Sequence, residues 1–154
     1  MDLTNKTILI TGATDGIGKV LAEEFSKLGS NIILLGKNSS KLDAVYDRLD
    51  HSVDSQKHLI LEADLSALNN ESAHEILRAI SNEYDALDGI IHNAAILGTM
   101  TPLEDYELSK WDEVLNINLR APFLLTKTLK SIVENSTMPR IIFTSSNGVI
   151  VPKI

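Results

Sequence analysis

The chain has 154 residues, 44% of them hydrophobic and 23% charged, with a formal net charge of -7 and no cysteine. That length fits a single domain, residues 1–154, with a proper core, and the missing thiols exclude disulfides and thiolate metal sites. The acidic surplus argues against an extended nucleic-acid surface, no apolar run approaches a membrane span, and the short polar start is not a signal peptide, so a cytoplasmic protein is expected.

The elements alternate strand and helix throughout. An apolar run over residues 7–11 predicts a first strand. Ile17, Val20, Leu21, Phe25 and Leu28 share a helix face, which predicts a helix over 16–28 closed by Gly29 as a left-handed cap. A second strand follows over 31–35; its unbroken apolar run suits burial on both faces. Ser40-Lys41-Leu42-Asp43 reads as a capping box before a helix carrying Leu42, Val45, Tyr46 and Leu49. A polar loop, 50–56, leads to a third strand over 58–61. Ala73, Ile76, Leu77, Ile80 and Tyr84 mark a third helix, and 87–92 a fourth strand. Ser109-Lys110-Trp111-Asp112 is expected to cap a long helix over 109–134, apolar nearly all round and so covered on more than one side. A fifth strand spans 140–145. This order predicts an α/β fold: a doubly wound, Rossmann-like parallel sheet of about five strands with helices on both faces.

Ligands of such sheets bind at the carboxyl ends of the strands. There the first strand runs into Thr11-Gly12-Ala13-Thr14-Asp15-Gly16-Ile17-Gly18. Glycines between a strand and a helix let the backbone approach a pyrophosphate, and the helix N-terminus supplies unpaired N–H groups. The spacing G-x-x-x-G-x-G is neither G-x-G-x-x-G nor a P-loop, because five residues separate Gly12 from Gly18 and Val20 stands where a P-loop needs Ser or Thr.

The pattern T-G-x-x-x-G-I-G resembles the cofactor turn of the classical short-chain dehydrogenases/reductases. Further segments match that family in order. Asp64-Leu65 resembles the aspartate segment that contacts adenine. His92-Asn93-Ala94-Ala95 resembles the family's N-N-A-G, with His92 and Ala95 departing from it and Asn93 and Ala94 kept. Asn116-Ile117-Asn118-Leu119 resembles the segment of the active-site asparagine, placed at Asn118, and residues 141–146 the strand ending in the catalytic serine, placed at Ser146, although Thr144-Ser145-Ser146 also fits a plain polar strand end. The resemblance implies a dinucleotide held by Thr11, Gly12, Thr14, Asp15, Gly16, Ile17, Gly18, Lys37, Asp64, Leu65, Asn93 and Ala94. It further implies that Asn118 holds a relay water through its main chain and that the Ser146 hydroxyl polarises a substrate carbonyl.

The acid that would bind a ribose 2′-OH about 20 residues after the glycine turn is absent. Gly36-Lys37 closes the second strand instead, which suits a 2′-phosphate and favours NADP(H) over NAD(H). Against this, Lys37 also fits an ordinary surface lysine, and Asp15 would sit beside the same phosphate. Pro122 lies four residues after Asn118 and removes the N–H that the Asn118 carbonyl would meet, so the helix should kink there. His92 is expected to support its turn by hydrogen bonding; His51, His58 and His74 are read as structural or surface residues, Asp85 and Asp88 as turn residues, and Trp111 as an interfacial core residue. No cluster has ligand spacing for a metal.

The family's Y-x-x-x-K is expected about a dozen residues after the serine, yet the sequence ends at Ile154. Tyr106-Glu107-Leu108-Ser109-Lys110 fits the pattern but precedes both Asn118 and Ser146, and is read as a decoy. The chain as written is therefore expected to be the amino-terminal part of such an enzyme, truncated before that motif and unable to run its proton relay. The full-length form would transfer hydride between NADP(H) and a small-molecule carbonyl or hydroxyl substrate. The alternatives are a non-catalytic dinucleotide-binding module and an inactive remnant. The resemblance also suggests homo-oligomers formed through the 109–134 helix.

Overall fold

The computed structural model describes residues 3–146. Five parallel strands, β1 (Thr7–Thr11), β2 (Asn31–Gly36), β3 (Leu59–Glu62), β4 (Gly89–His92) and β5 (Arg140–Phe143), form one sheet in the order β3-β2-β1-β4-β5. The chain therefore winds outward from β1 in one direction through β3. It then returns to the other side of β1 and continues through β5. This reversal between β1 and β4 is the switch point at which open α/β sheets form their ligand crevice.

Strand side chains alternate between the two faces. Ile8, Ile10, Ile32 and Leu34 pack on one face against α1 (Gly16–Lys27) and α2 (Ser39–Tyr46), which bring Ala22, Leu42 and Val45. Leu9, Ile33, Leu35 and Ile90 pack on the other face against α3 (Asn70–Glu83) and α5 (Ala121–Val133), which bring Ile76, Ile80, Leu125 and Leu129. Each fully buried leucine or isoleucine contributes about 2 kcal/mol of transfer free energy. The inner strands β1 and β2 carry half of these residues, so the sheet is firmest where the crevice opens.

Local chemistry moves several boundaries. The cap of α2 is Asn38, whose Oδ1 accepts the Lys41 N–H at 2.9 Å, rather than Ser40; Asn at the extended position before the first turn takes the donor that Ser40, already helical, cannot reach. The start of α3 has a true capping box, Asn69 with Ser72. The strand β3 begins at Leu59 and not His58, because the His58 ring, and not its backbone, meets β2. Asp88 is more than a turn residue: it accepts from the Thr7 N–H, Lys6 Nζ and the Ser136 hydroxyl, joining the starts of β1 and β4 to the turn before β5. Burial raises the Asp88 carboxyl, but those three donors outweigh it and hold the group below the usual carboxylate range.

The long helix differs most from expectation. It is three pieces: α4 (Leu108–Leu115), a π-helical segment (Asn116–Arg120) and α5. Glu107, not Ser109, precedes its first turn, with no side-chain cap. Pro122 has no N–H to give, and the backbone answers with a wider turn, in which the Ala121 N–H reaches back to the Asn116 carbonyl. One apolar side of the helix lacks cover. Trp111, Leu115, Leu119 and Phe123 form an exposed stripe at four-residue spacing, with Leu119 66% and Phe123 65% exposed. Trp111 is thus not a core residue, since no described element packs on that side.

Candidate functional site

The crevice starts from the turn after β1. All five β1 residues are buried, and the Thr11 hydroxyl is turned into the fold rather than out of it. Its Oγ1 accepts the N–H groups of Asn93 at 3.0 Å and Ala94 at 3.1 Å, and it donates to the Ile91 carbonyl at 3.4 Å. The Asn93 amide donates in turn to the Thr11 and Gly12 carbonyls, both at 3.4 Å. The carboxyl ends of β1 and β4 are thereby stitched side by side.

The glycines do different work. Gly12 has φ +65°, and a Cβ there would lie 2.8 Å from Ala94 Cα. Gly18 has no room for a side chain because the Gly12 carbonyl and the Asn93 amide fill the space. Gly16 has φ +50° but faces nothing within 4 Å, so its backbone is open to the crevice at the first turn of α1. Asp15 caps that helix, its Oδ1 accepting the Gly16 N–H at 2.7 Å. A carboxylate there suits the helix dipole and sets a negative charge at the mouth of the turn.

The crevice measures about 540 Å3, within the range of small-molecule sites. Gly12, Thr14, Asp15, Gly16 and Ile17 line it from the β1–α1 turn, and Gly36 and Lys37 from the end of β2. Ala63, Asp64 and Leu65 line it from the end of β3, and residues 93–96 from the end of β4. Ile117 of the π-helical segment and Thr144 beyond β5 complete it. Ten of the sequence-predicted residues are therefore brought together: Gly12, Thr14, Asp15, Gly16, Ile17, Lys37, Asp64, Leu65, Asn93 and Ala94. Thr11 and Gly18 stand behind the wall and shape it. Asn118 and Ser146 do not line it either. Ile96, Ile117 and Thr144 do; Ile117 and Thr144 lie inside the segments quoted for Asn118 and Ser146, but as ordinary apolar or strand-end side chains none of the three signals a site by its own chemistry.

Asn118 acts through its side chain. Its Oδ1 accepts the Ile96 N–H and its Nδ2 donates to the Ile96 carbonyl, each at 2.9 Å. The amide thus clamps both backbone groups of a residue in the crevice wall. Ser146 is exposed two residues beyond Thr144, whose N–H bonds the His92 carbonyl. Asp64 accepts the Ser66 hydroxyl at 2.7 Å and the Ser66 N–H at 2.9 Å. These bonds, with the Lys37 charge nearby, hold its carboxyl below the usual range against a small opposing effect of burial.

His92 is buried beneath this wall, its Nε2 2.9 Å from Thr126 Oγ1 and its ring stacked on Phe143. Burial drops it to about 4, so it is neutral near pH 7. The Tyr106–Lys110 pair has no such setting: Tyr106 packs against Gly98, while Lys110 is bonded to Glu113 at 2.9 Å, which raises its pKa. A lysine so engaged is not placed to activate a tyrosine.

A family model described as short chain dehydrogenase matches residues 6–154. The chain belongs to the short-chain dehydrogenase family. It is 33% identical over 145 residues to the uncharacterized oxidoreductase YciK of Escherichia coli K12, covering 94% of this chain and 57% of that protein. It is 31% identical over 125 residues to the 3-oxoacyl-[acyl-carrier-protein] reductase FabG of Aquifex aeolicus, covering 81% and 49%. Among solved structures, a short chain dehydrogenase of Escherichia coli CFT073 complexed with NADPH superposes with a TM-score of 0.89 at 33% identity, over 99% of this chain and 63% of that one. A Shigella flexneri 2a protein complexed with NADP gives 0.90 and 33%, over 99% and 64%. The chain thus spans roughly half to two thirds of the length of these relatives. The family is one of NAD(P)-dependent oxidoreductases. Among the described residues no helix is long and apolar enough to cross a membrane.

Proposed function

We propose that this chain binds NADP(H) in the crevice, in a protein that moves hydride between that cofactor and a small carbonyl or hydroxyl substrate. The observation that carries the reading is the convergence of a left-handed, side-chain-free turn at Gly12 and Gly16 with Lys37 on one cleft of suitable size. Gly16 leaves room for a pyrophosphate beside the N-terminus of α1, and Lys37 offers a cation to a 2′-phosphate. Asp64 and Leu65 would flank the adenine, and Asn93 and Ala94 the ribose beyond the pyrophosphate. The NADPH and NADP complexes of the structural relatives support the choice of cofactor.

The bound dinucleotide would supply the hydride; the residues of this chain would bind and orient. Asn118 positions Ile96 at the wall, and the Ser146 hydroxyl donates to a substrate carbonyl. Titration of the purified chain, followed by nicotinamide fluorescence, tests the reading. NADPH is expected to bind about tenfold tighter than NADH, as loss of one charge-assisted contact implies. Binding of neither nucleotide would overturn it.

A non-catalytic dinucleotide-binding role is the second reading. One observation favours it: Lys110 of the single Y-x-x-x-K segment is already paired with Glu113. Nucleotide binding without turnover of any carbonyl substrate would select it. We further propose a cytoplasmic protein that forms homo-oligomers through the 109–134 helix, supported by the exposed stripe of Trp111, Leu115, Leu119 and Phe123.

A further inference from the structure

Residues 47–58 connect α2 to β3, and His58 pins this connection to the sheet. His58 Nδ1 accepts the Ile32 N–H at 3.0 Å, and its Nε2 lies 2.9 Å from the Asp50 carbonyl oxygen. A backbone N–H needs a bare nitrogen and a carbonyl needs an N–H, so the two bonds together fix a neutral ring with its proton on Nε2. Ile33 pairs with Leu59, so His58 stands opposite Ile32 and its ring extends the ladder by one bond. Ile32 is fully buried. A proton added to Nδ1 would set one N–H against another and leave the Ile32 donor without an acceptor.

The charges around this ring are few. The His51 ring lies 4.7 Å away, edge to face, and the Tyr46 ring of α2 stands 6.2 Å away. Asp50 contributes its carbonyl and, nearby, a carboxylate held by the Ser52 N–H at 2.7 Å. Lys57 precedes the ring and is ion-paired to Glu83 of α3 at 3.9 Å. Lys27 of α1 acts on Asp50 from a distance. On β2 the neighbour is Asn31, which is uncharged. His51 repels a second positive charge and Asp50 attracts one. Burial pushes His58 below the ordinary histidine value, and this outweighs the Asp50 bond.

We propose that His58 is an acid-sensitive latch on the adenine end of the crevice. The inference rests on the dinucleotide reading given above. The two segments that His58 braces lead directly to the site: α2 starts just after Lys37, and β3 ends at Ala63, Asp64 and Leu65. The folded state favours the neutral ring, so the latch is closed above the ordinary histidine value of about 6.5. It is lost as the pH falls from there through the lower value of His58 in the fold.

The test is amide hydrogen exchange at Ile32, corrected for intrinsic rates, with NADH titrations at pH 7.5 and 5.5. NADH is the probe because it has no 2′-phosphate to titrate. In the unmodified protein Ile32 protection is expected to fall by up to about tenfold between these pH values, the limit for one proton with a reference value of about 6.5, and NADH affinity should fall a few-fold with it. His58→Gln offers an acceptor and a donor that do not titrate, so both readouts should become flat. His92→Gln should leave the Ile32 response as it was, which separates the latch from the other buried histidine.

Imidazole nitrogen shifts in the unmodified protein give a second measure independent of any variant. They should show the Nε2–H tautomer at pH 7.5 and a midpoint shared with the loss of Ile32 protection. The opposite tautomer, pH-independent protection, or a pH response retained in His58→Gln would overturn the latch. If NADH fails to bind while Ile32 behaves as stated, the latch stands and the dinucleotide reading falls.

Discussion

Two residues on opposite sides of the crevice each hold a pair of backbone groups across a gap, and they do so in different surroundings. Thr11 is buried and ties β1 to β4 through the N–H groups of Asn93 and Ala94. Asn118 is exposed and ties the π-helical segment to Ile96. The first clamp belongs to a part of the sheet packed on both faces. The second belongs to a region where β5 is exposed along its length and the α4–α5 stripe faces outward. The difference teaches that the β1–α1 turn side of the crevice is fixed by the core. The Asn118 side depends on a few polar contacts and on whatever covers its apolar surface.

The largest expected effect breaks the firm side. Gly12→Val places a branched side chain at φ +65° against the Ala94 backbone. A cost of about 4 kcal/mol or more is expected from strain and overlap together, read as a lowered denaturation midpoint and loss of NADPH binding. An unchanged midpoint would show that the turn adapts.

Acid comes next. His92 is neutral in the fold and drops to about 4. Its contribution is complete above pH 6.5 and disappears as the pH falls toward 4, by about 3 kcal/mol at the limit. Denaturant titrations across that range should show this slope, and His92→Gln should reduce it.

The two clamps themselves give the direct contrast. Thr11→Val keeps the shape but strands two part-buried donors, for about 2 kcal/mol. Lys37→Gln should leave stability unchanged while weakening NADPH, not NADH, by about tenfold, or about 1.4 kcal/mol. Asn118→Ala should cost the least, about 1 kcal/mol, because water replaces the amide. Its signature should be faster hydrogen exchange at Ile96. A larger global loss for Asn118→Ala than for Thr11→Val would reverse the comparison.

How much of this was legible beforehand follows the range of the forces involved. Strand and helix order, the buried β2 run and the glycine turn all depend on residues close in sequence, so periodicity and spacing reveal them. The caps of α2 and α4 were each misplaced by two residues. Neighbouring Ser, Asn and Glu residues compete for the same N–H groups, and the backbone geometry selects among them. The break at Pro122 was foreseeable from a missing donor; its resolution as a wider turn, with Ala121 bonding Asn116, was not.

By itself the sequence determined the glycine turn, the alternation of elements and the basic end of β2, because these rest on local conformational limits and charge. Tertiary structure alone decided that Thr11 points inward, that Asn118 grips Ile96 and that His58 carries a ladder bond with its ring. Each depends on a partner more than 20 residues away. Only packing brings such partners within hydrogen-bond reach, and only burial makes losing them costly.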